Sequence, residues 1–389
     1  SILVDGVKVR YFKRLTKDHT HFSPALLWAL RKEIISNKYQ RTRTKEQGAR
    51  SKEQRTKSKE KNELIIHIHA WWNLVSVFSC LVAKWYKIPV LLSPRGMLTS
   101  YTLGNRNSFS KRLIHSLIGK NLLRYCHIHA TSEKEKQDIL AVIKPKSITV
   151  ISNLVELEKV RSLKFEVISG EEGPRSKEQR TKNKDQRTKA KEQGLISEKE
   201  ETSDEQRRTN NETFKFIFLS RIEEKKGLDL LFNALVKLDF DWSLTIAGSG
   251  DENYVNSLKR KADSLKLSDR LDWVGQIDKK DKFRLLEEHD LLVLTSYNEN
   301  FANVVIESLS VGTAVLITKE VGLYDYVEKQ NLGWITSLNS TEIYKLLSKA
   351  KNDKEKRADI RSIAPKIILK DFSDKTLINR YLTIYQNLV

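Results

Sequence analysis

Leu291-Leu-Val-Leu-Thr-Ser-Tyr-Asn-Glu-Asn-Phe-Ala-Asn-Val-Val-Ile-Glu307 is the stretch on which the reading of the fold turns. Its first four residues are apolar without a break, a run of strand length. A polar loop follows, and Val304, Val305, Ile306 and Leu309 then take up helical spacing, predicting a helix over 304–310. A buried strand that passes through a loop into an apolar helix is the repeating unit of an α/β sheet.

The same unit recurs on either side. Upstream, strands are predicted at 214–220, 243–247 and 271–274, with helices over 228–238, 253–265 and 279–288. Downstream come a strand at 314–318 and a helix over 341–350. Further on, Leu377, Ile378, Tyr381, Leu382, Ile384 and Tyr385 fall on one stripe, as in a helix buried along one side. In the N-terminal half, Leu64-Ile-Ile-His-Ile-His69, Pro89-Val-Leu-Leu-Ser93, Ile128-His-Ala-Thr131 and Ile148-Thr-Val-Ile151 read as strands, with helices over 75–86 and 111–125. At 389 residues the chain is long enough for two cores. The reading is therefore α/β, with two Rossmann-like, doubly wound domains facing a cleft. They occupy 1–160 and 214–371, joined by a linker at 161–213, and a C-terminal helix at 372–389 packs back toward the first domain. Ligands of such folds bind at the carboxyl ends of the strands.

Apolar residues make up 39% of the chain. The longest apolar run, 74–86, is broken by Ser76, Ser79 and Lys84 and is too short for a bilayer, which needs about 20 residues. Cys80 and Cys126 are too few for a disulfide framework or a structural zinc site, which makes the cytoplasm the simplest compartment. Ser1 opens the chain without an initiator Met, so a missing front is expected. A net charge of +20 would point to nucleic acid or an anionic surface if it were spread over one face. Instead, residues 38–62 hold ten Lys/Arg against three Glu, and 175–194 hold eight against three acids, twelve of the twenty excess charges. The two tracts are near copies, with Arg50-Ser-Lys-Glu-Gln-Arg-Thr-Lys57 recurring letter for letter at 175–182. Lacking apolar residues at strand or helix spacing, they read as disordered insertions, with solvated helices or a polybasic arm as the alternatives. Without interleaved aromatics, they argue against nucleic acid as a partner.

Chemistry is concentrated at two strand ends. Ser220-Arg-Ile-Glu-Glu-Lys-Lys-Gly227 lies where a strand gives way to a helix, and Arg221 and Lys226 can both point into the mouth of the cleft. A guanidinium, an ammonium and helix N-terminal amides would together hold a diphosphate. A solvated loop is the alternative, since Glu223, Glu224 and Lys225 are charged too. In the opening stretch, Glu299 falls in the loop and Glu307 in the helix. A helix carboxylate can accept both hydroxyls of a ribose, and one in the loop can reach an attached sugar. Alternatively Glu299 caps the helix and Glu307 lies on the surface, although apolar neighbours surround Glu307. No Gly-x-Gly-x-x-Gly follows a strand, which opposes a nicotinamide-dependent oxidoreductase.

Several runs carry a resemblance. Ser220-Arg and Lys226-Gly227, the Ile246-Ala-Gly-Ser-Gly250 turn, Trp273-Val-Gly275 and Glu299 to Glu307 with Gly312 resemble the donor-domain signature of the retaining, metal-independent glycosyltransferases of the GT-B fold. This is the bacterial group 1 family with a Glu-x7-Glu motif. The resemblance implies that Arg221 and Lys226 bind the donor diphosphate, that Glu307 binds the nucleotide ribose, and that Glu299 contacts the sugar. It further places Ser220, Gly227, Gly275, Asn300, Phe301, Ala302 and Asn303 around the donor, a UDP- or GDP-linked sugar, with no metal or other cofactor. His67-Ile-His-Ala-Trp-Trp-Asn73, Ser93-Pro-Arg-Gly-Met-Leu98 and His129-Ala-Thr-Ser-Glu133 resemble the acceptor domain of group 1 transferases from polysaccharide and lipopolysaccharide clusters. His69 and Arg95 follow strand ends and are expected to face the cleft, where Arg95 would neutralise charge on donor or acceptor, with a purely structural strand-end role as the alternative for His67 and His69. The resemblance implies that the acceptor is a cell-surface glycan or a lipid-linked one. Such acceptors imply peripheral contact with the inner face of the cytoplasmic membrane.

Departures from the family pattern bear on this expectation. Ala302 stands where Gly is usual, Gly312-Thr-Ala-Val315 replaces Gly-Thr-Pro-Val, and Ser152-Asn-Leu154 replaces Pro-Asn-Gly, a loss of two turn residues near the domain boundary. Family members also begin with a strand, a Gly-rich loop and a helix before the segment matching Val4-Asp-Gly-Val-Lys-Val9, so the N-terminal sheet is expected to lack its first strand and helix. A non-catalytic remnant or partner subunit that binds nucleotide sugar without transferring it is the alternative to an active enzyme.

Overall fold

The structure, a computed structural model, describes residues 2–16, 22–48, 64–99, 119–157 and 213–388. The second basic tract, most of the linker, the end of the first tract and the start of the helix expected over 111–125 lie outside the described residues.

The C-terminal domain is a six-stranded parallel sheet. Its strands are β7 (Phe214–Leu219), β8 (Trp242–Ala247), β9 (Leu271–Gly275), β10 (Leu291–Leu294), β11 (Ala314–Thr318) and β12 (Gly333–Thr336), in the spatial order β12-β11-β10-β7-β8-β9. The chain therefore builds outward from β7 in one direction, then jumps back and builds outward from β10 in the other. Helices cover both faces, which is why Leu291–Leu294 and Ala314–Thr318 are buried at every position and carry no polar alternation. Where β7 and β10 lie side by side, in register Leu291↔Phe216, the loops leaving their carboxyl ends diverge and open a crevice.

The N-terminal domain is a parallel sheet of β3 (Ile66–His69), β4 (Val90–Ser93), β5 (His127–Ala130) and β6 (Ser147–Val150), in that order. Ahead of it, β1 (Ile2–Val4) and β2 (Val7–Val9) form an antiparallel hairpin around Asp5-Gly6, both at positive φ as a tight two-residue hairpin turn requires. Helices α1 (Pro24–Gly48) and α2 (Leu74–Trp85) contribute Ile34, Val77 and Cys80 to the core, where the free thiols of Cys80 and Cys126 stand 3.9 Å apart.

The helix α1 corrects one expectation. It runs on to Gly48 and so carries the first part of the basic tract as helix rather than as a disordered insertion. Nucleation is the costly step in helix formation. Once the turns around the buried Ile34 exist, Lys, Arg, Gln and Glu are good residues for propagation.

The helices α3 (Lys120–Tyr125) to α9 (Tyr324–Lys329) lie between strands, and α10 (Ser340–Asn352), α11 (Lys354–Phe372) and α12 (Asp374–Leu388) follow the last strand in succession. After α11 (Lys354–Phe372) has packed on the C-terminal domain, the chain turns at Ser373 and α12 crosses to the N-terminal sheet. There Leu377 and Ile384 are buried with Leu91 and Ile151, flanked by Tyr381 and Tyr385. No helix among the described residues is long and apolar enough to cross a membrane.

Candidate active site

The crevice between β7 and β10 is built by backbone contacts that only glycine permits. Gly227 ends the loop after β7 at φ +69, and a Cβ there would sit 2.1 Å from the Thr295 carbonyl oxygen. Gly248, in the turn after β8, approaches the Ser220 carbonyl just as closely, 1.9 Å from an added Cβ. Three hydrogen bonds complete the clamp: Tyr297 N–H to Lys225 O at 2.8 Å, Thr295 Oγ1–H to Gly227 O at 2.8 Å, and Ile222 N–H to Ser249 O at 2.8 Å. Gly275 closes β9, and its carbonyl accepts the Gly248 N–H at 2.7 Å. The loop carrying Lys226 is thus pressed against the end of the strand that leads to Glu299.

Within this frame Lys226 is 5% exposed, and its Nζ forms an ion pair with Glu299 Oε2. Arg221 does not join that pair. Its guanidinium is 67% exposed and bonds Glu223 at 2.6 Å, so the two cations expected to point together into the cleft have different partners. Burial pushes the Glu223 carboxyl up, but Lys225, Arg221 and Lys226 together outweigh it and leave the group below its ordinary range, with Lys225 supplying the largest lowering contribution. Glu307 is 8% exposed on α8 (Asn303–Ser310), and Lys282 of α7 (Lys279–Glu287) pairs with it at 2.7 Å. The four side chains singled out in the sequence therefore enter three ion pairs, Lys226 and Glu299 sharing one, and two of the three are nearly buried.

The loop between Glu299 and α8 divides its side chains. Phe301 turns into the core against Phe372. Ala302 takes the position before the helix at φ +69, the left-handed region that a Cβ disfavours. Asn303 Oδ1 accepts from Asn153 Nδ2 at 3.3 Å, across the domain boundary. Asn300 also faces the other domain, donating through Nδ2 to Thr131 Oγ1 at 2.8 Å, while its carbonyl accepts from Ser132 Oγ at 3.2 Å. An interdomain ion pair, Lys134 to Glu320 at 3.5 Å, lies beside them.

On the N-terminal side, Arg95 donates from Nε to His69 Nδ1 at 3.4 Å and from Nη1 to Asn153 Oδ1 at 3.3 Å. His69 stacks on His67, with ring centroids 4.2 Å apart. Below them runs a hydrogen-bond chain whose direction is set at one end, because the Ile151 carbonyl can only accept. His129 Nε2–H donates to Ile151 O at 2.6 Å, so Ser93 Oγ–H donates to His129 Nδ1 at 2.7 Å. His67 Nε2–H then donates to Ser93 Oγ at 2.7 Å, and the Tyr385 hydroxyl donates to His67 Nδ1 at 2.7 Å. Burial, with smaller contributions from the neighbouring His69 and Arg95, pulls the His67 imidazole down to about 3 and His129 to about 4. The chain is neutral and ties α12 to the N-terminal sheet. A cavity of about 520 Å3 lies between β6 and α12, lined by His127, Thr149, Arg380 and Thr383 among others, and none of the donor-site residues lines it.

Sequence reasoning missed two residues of this region. Lys282 is one of three lysines at the start of its helix, and no pattern distinguishes it. For Glu135 the available signal is its spacing, three residues after the cap Ser132, the sequence pattern of a capping box.

Comparisons with known proteins agree with this architecture. Residues 199–367 match the family described as Glycosyl transferases group 1, and residues 54–159 match Glycosyltransferase Family 4. Residues 199–367 are thus similar to the group 1 glycosyltransferases, and the fold is the GT-B architecture of two facing α/β domains. Among curated relatives, an uncharacterized glycosyltransferase of Methanocaldococcus jannaschii is 24% identical over 174 residues, 44% of each chain. The lipopolysaccharide core biosynthesis glycosyltransferase LpsE of Rhizobium meliloti is 25% identical over 167 residues, 43% of this chain and 48% of that one. The chain spans about half the length of the curated relatives it matches. Among solved structures, Anabaena HepE in complex with UDP superposes with a TM-score of 0.61 at 19% identity, over 83% of this chain and 79% of that one. A glycosyltransferase from Rickettsia africae gives 0.61 at 18%, over 96% and 84%.

Proposed function

We propose that the protein transfers a sugar from a UDP- or GDP-linked donor to a cell-surface polysaccharide, lipopolysaccharide or lipid-linked acceptor, with retention of anomeric configuration. The observation that carries this reading is the buried Lys226–Glu299 pair at the crevice between β7 and β10, where an open α/β sheet binds its ligand. In the proposed reaction the acceptor oxygen bonds the anomeric carbon on the face from which the diphosphate departs. The carbon–oxygen bond to the phosphate breaks, and the acceptor proton passes to the leaving phosphate oxygen. Lys226, with Arg221 swinging in from the rim, neutralises the departing diphosphate without a metal, the kind of preorganised charge that supplies much of an enzyme's acceleration. Glu299 meets the sugar, Glu307 the ribose, and Arg95 with His69 the acceptor side.

A lipid-linked acceptor places the reaction at the inner face of the cytoplasmic membrane. Exposed Trp28 and Trp85, at 64% and 82%, beside Lys32 and Lys84, are side chains suited to a headgroup layer. Co-sedimentation with anionic vesicles in 0.15 M salt that is unchanged in a Trp28→Ser, Trp85→Ser variant would remove these tryptophans from the contact, and a wild type that does not co-sediment would remove the placement itself.

Mass spectrometry of products formed from a panel of UDP- and GDP-sugars, with lipid-linked and soluble glycan acceptors, tests the whole reading. A new glycoside of retained configuration supports it. Tight nucleotide binding with neither transfer nor donor hydrolysis would instead favour a non-catalytic binding protein.

A further inference from the structure

Glu135 is 1% exposed in the first turn of α4 (Glu133–Val142), and the contacts described for it come from neutral donors on both domains. Its Oε1 accepts the Gly96 N–H at 2.5 Å. Its Oε2 accepts the Thr131 N–H at 2.6 Å, the Thr131 hydroxyl at 2.7 Å and Asn300 Nδ2–H at 3.3 Å. Burying a carboxylate is costly, and a helix cap does not require it. Ser132 Oγ already accepts the Glu135 N–H at 3.1 Å, and a cap needs no bond to residue 96 or residue 300. The two distant partners are therefore what the buried charge serves.

Each of those partners adjoins a residue of the proposed site. Gly96 follows Arg95, which stands at φ +50, a conformation that a residue with a side chain avoids, and the Glu135 bond to the next amide holds that turn in place. Asn300 follows Glu299, and both its side chain and its carbonyl are fixed by residues 131–135. We propose that Glu135 is a positioning residue that sets the Arg95 turn of the N-terminal domain and the Glu299 loop of the C-terminal domain in one mutual arrangement, so that the acceptor and donor sides of the cleft are aligned together. The inference rests on the glycosyltransferase reading for what is aligned, but not for the coupling itself.

Glu135→Gln keeps the shape and turns an N–H2 toward groups that donate. In the full chain, turnover of the sugar nucleotide used by the wild type should fall about tenfold or more, the loss expected for a charge-assisted hydrogen bond. UDP affinity by calorimetry should stay within about threefold, because the diphosphate ligands lie elsewhere. Asn300→Ala should cause a comparable loss, and adding it to Glu135→Gln should cost less than about twofold more, since both break one connection. Turnover within about twofold of wild type, losses that multiply in the double variant, or UDP affinity that falls in step with thermal stability would each overturn the proposal. Hydrogen exchange gives a readout without substrate: the amides of Gly96 and residues 299–303 should exchange about tenfold faster in Glu135→Gln, and unchanged protection overturns the coupling. If the wild type binds neither UDP nor GDP and turns over no sugar nucleotide, the enzyme reading fails alone and the exchange result still decides this one.

Discussion

Lys226 and Glu299, 73 positions apart, form an ion pair in which the lysine side chain is almost wholly enclosed. The contact exists because Gly227 lets one loop lie directly on Thr295, at the root of the other. A diphosphate entering the crevice must exchange phosphate oxygens for the Glu299 carboxylate on the same ammonium. The pair therefore stands in the path of the reaction that we propose.

This competition has an uncommon signature. Glu299→Gln should bind UDP as tightly as the wild type or more tightly, because Lys226 is released, while glycosyl transfer falls about 100-fold or more. Lys226→Met should weaken both. Calorimetry with UDP and a transfer assay separate the two, and a Glu299→Gln variant that loses UDP binding would place that carboxylate on the nucleotide instead.

Arg221 is exposed and, among the described residues, pairs with its near neighbour Glu223, so its removal should change stability by less than about 0.5 kcal/mol. If the guanidinium swings onto the donor diphosphate, Arg221→Ala cuts turnover by roughly 100- to 1000-fold. Normal turnover in a well-folded Arg221→Ala protein removes Arg221 from the mechanism.

Lys282→Met leaves Glu307 in its pocket without a counter-charge. Breaking a largely buried pair from one side should cost about 3 kcal/mol in urea denaturation, and Glu307→Gln in the same background should recover part of that loss. Equal stability of Lys282→Met and wild type would show that water already reaches the pair.

At Ala302 the left-handed backbone costs roughly 1–2 kcal/mol, a strain that glycine does not carry. Glycine also gains freedom in the unfolded chain, which removes part of the benefit. Ala302→Gly should therefore stabilise the protein by about 0.5–1 kcal/mol, read from the denaturation midpoint. A loss of stability would mean that the loop holds another conformation in solution.

The neutral histidine chain makes stability depend on pH in a defined sense. His129 titrates near 4 and His67 near 3 in the folded protein, below the ordinary value of about 6.5 for the unfolded chain. The unfolded state therefore binds the extra protons first, so stability is full above about pH 6.5 and declines as pH falls toward 4. At pH 5 the loss should reach about 2 kcal/mol from His129 and less from His67, whose greater exposure screens it. Denaturation at pH 7 and pH 5 checks this, and a His129→Gln protein should show a smaller difference between the two. A pH-independent midpoint would show that these imidazoles protonate in place.

The alternation of buried strands and apolar helices was readable because β10 is apolar throughout and β7 and β11 nearly so, and their neighbours are helices with one buried stripe. Elements without such contrast escaped. The strand β12 (Gly333–Thr336) is short and opens with glycine, and α11 carries Pro365 inside it, which removes one backbone donor and reads as a break. Helix α1 was obscured by a low-complexity tract into which it simply continues.

For the site, the residue types and their neighbourhoods were legible one strand end at a time: a cationic loop after one strand, and a loop carboxylate with a helix carboxylate after another. Local periodicity and residue chemistry act over a few positions, and that is the range over which the chain alone decided this protein. Which cation meets which carboxylate is a long-range matter, settled by where β7 and β10 come to lie and by how closely two glycines let their loops approach. That Lys226 takes Glu299, that Lys282 takes Glu307, and that Glu135 reaches Asn300 across the cleft follow from packed geometry, because side chains far apart in sequence become neighbours only once both sheets and the helix returning between them are in place.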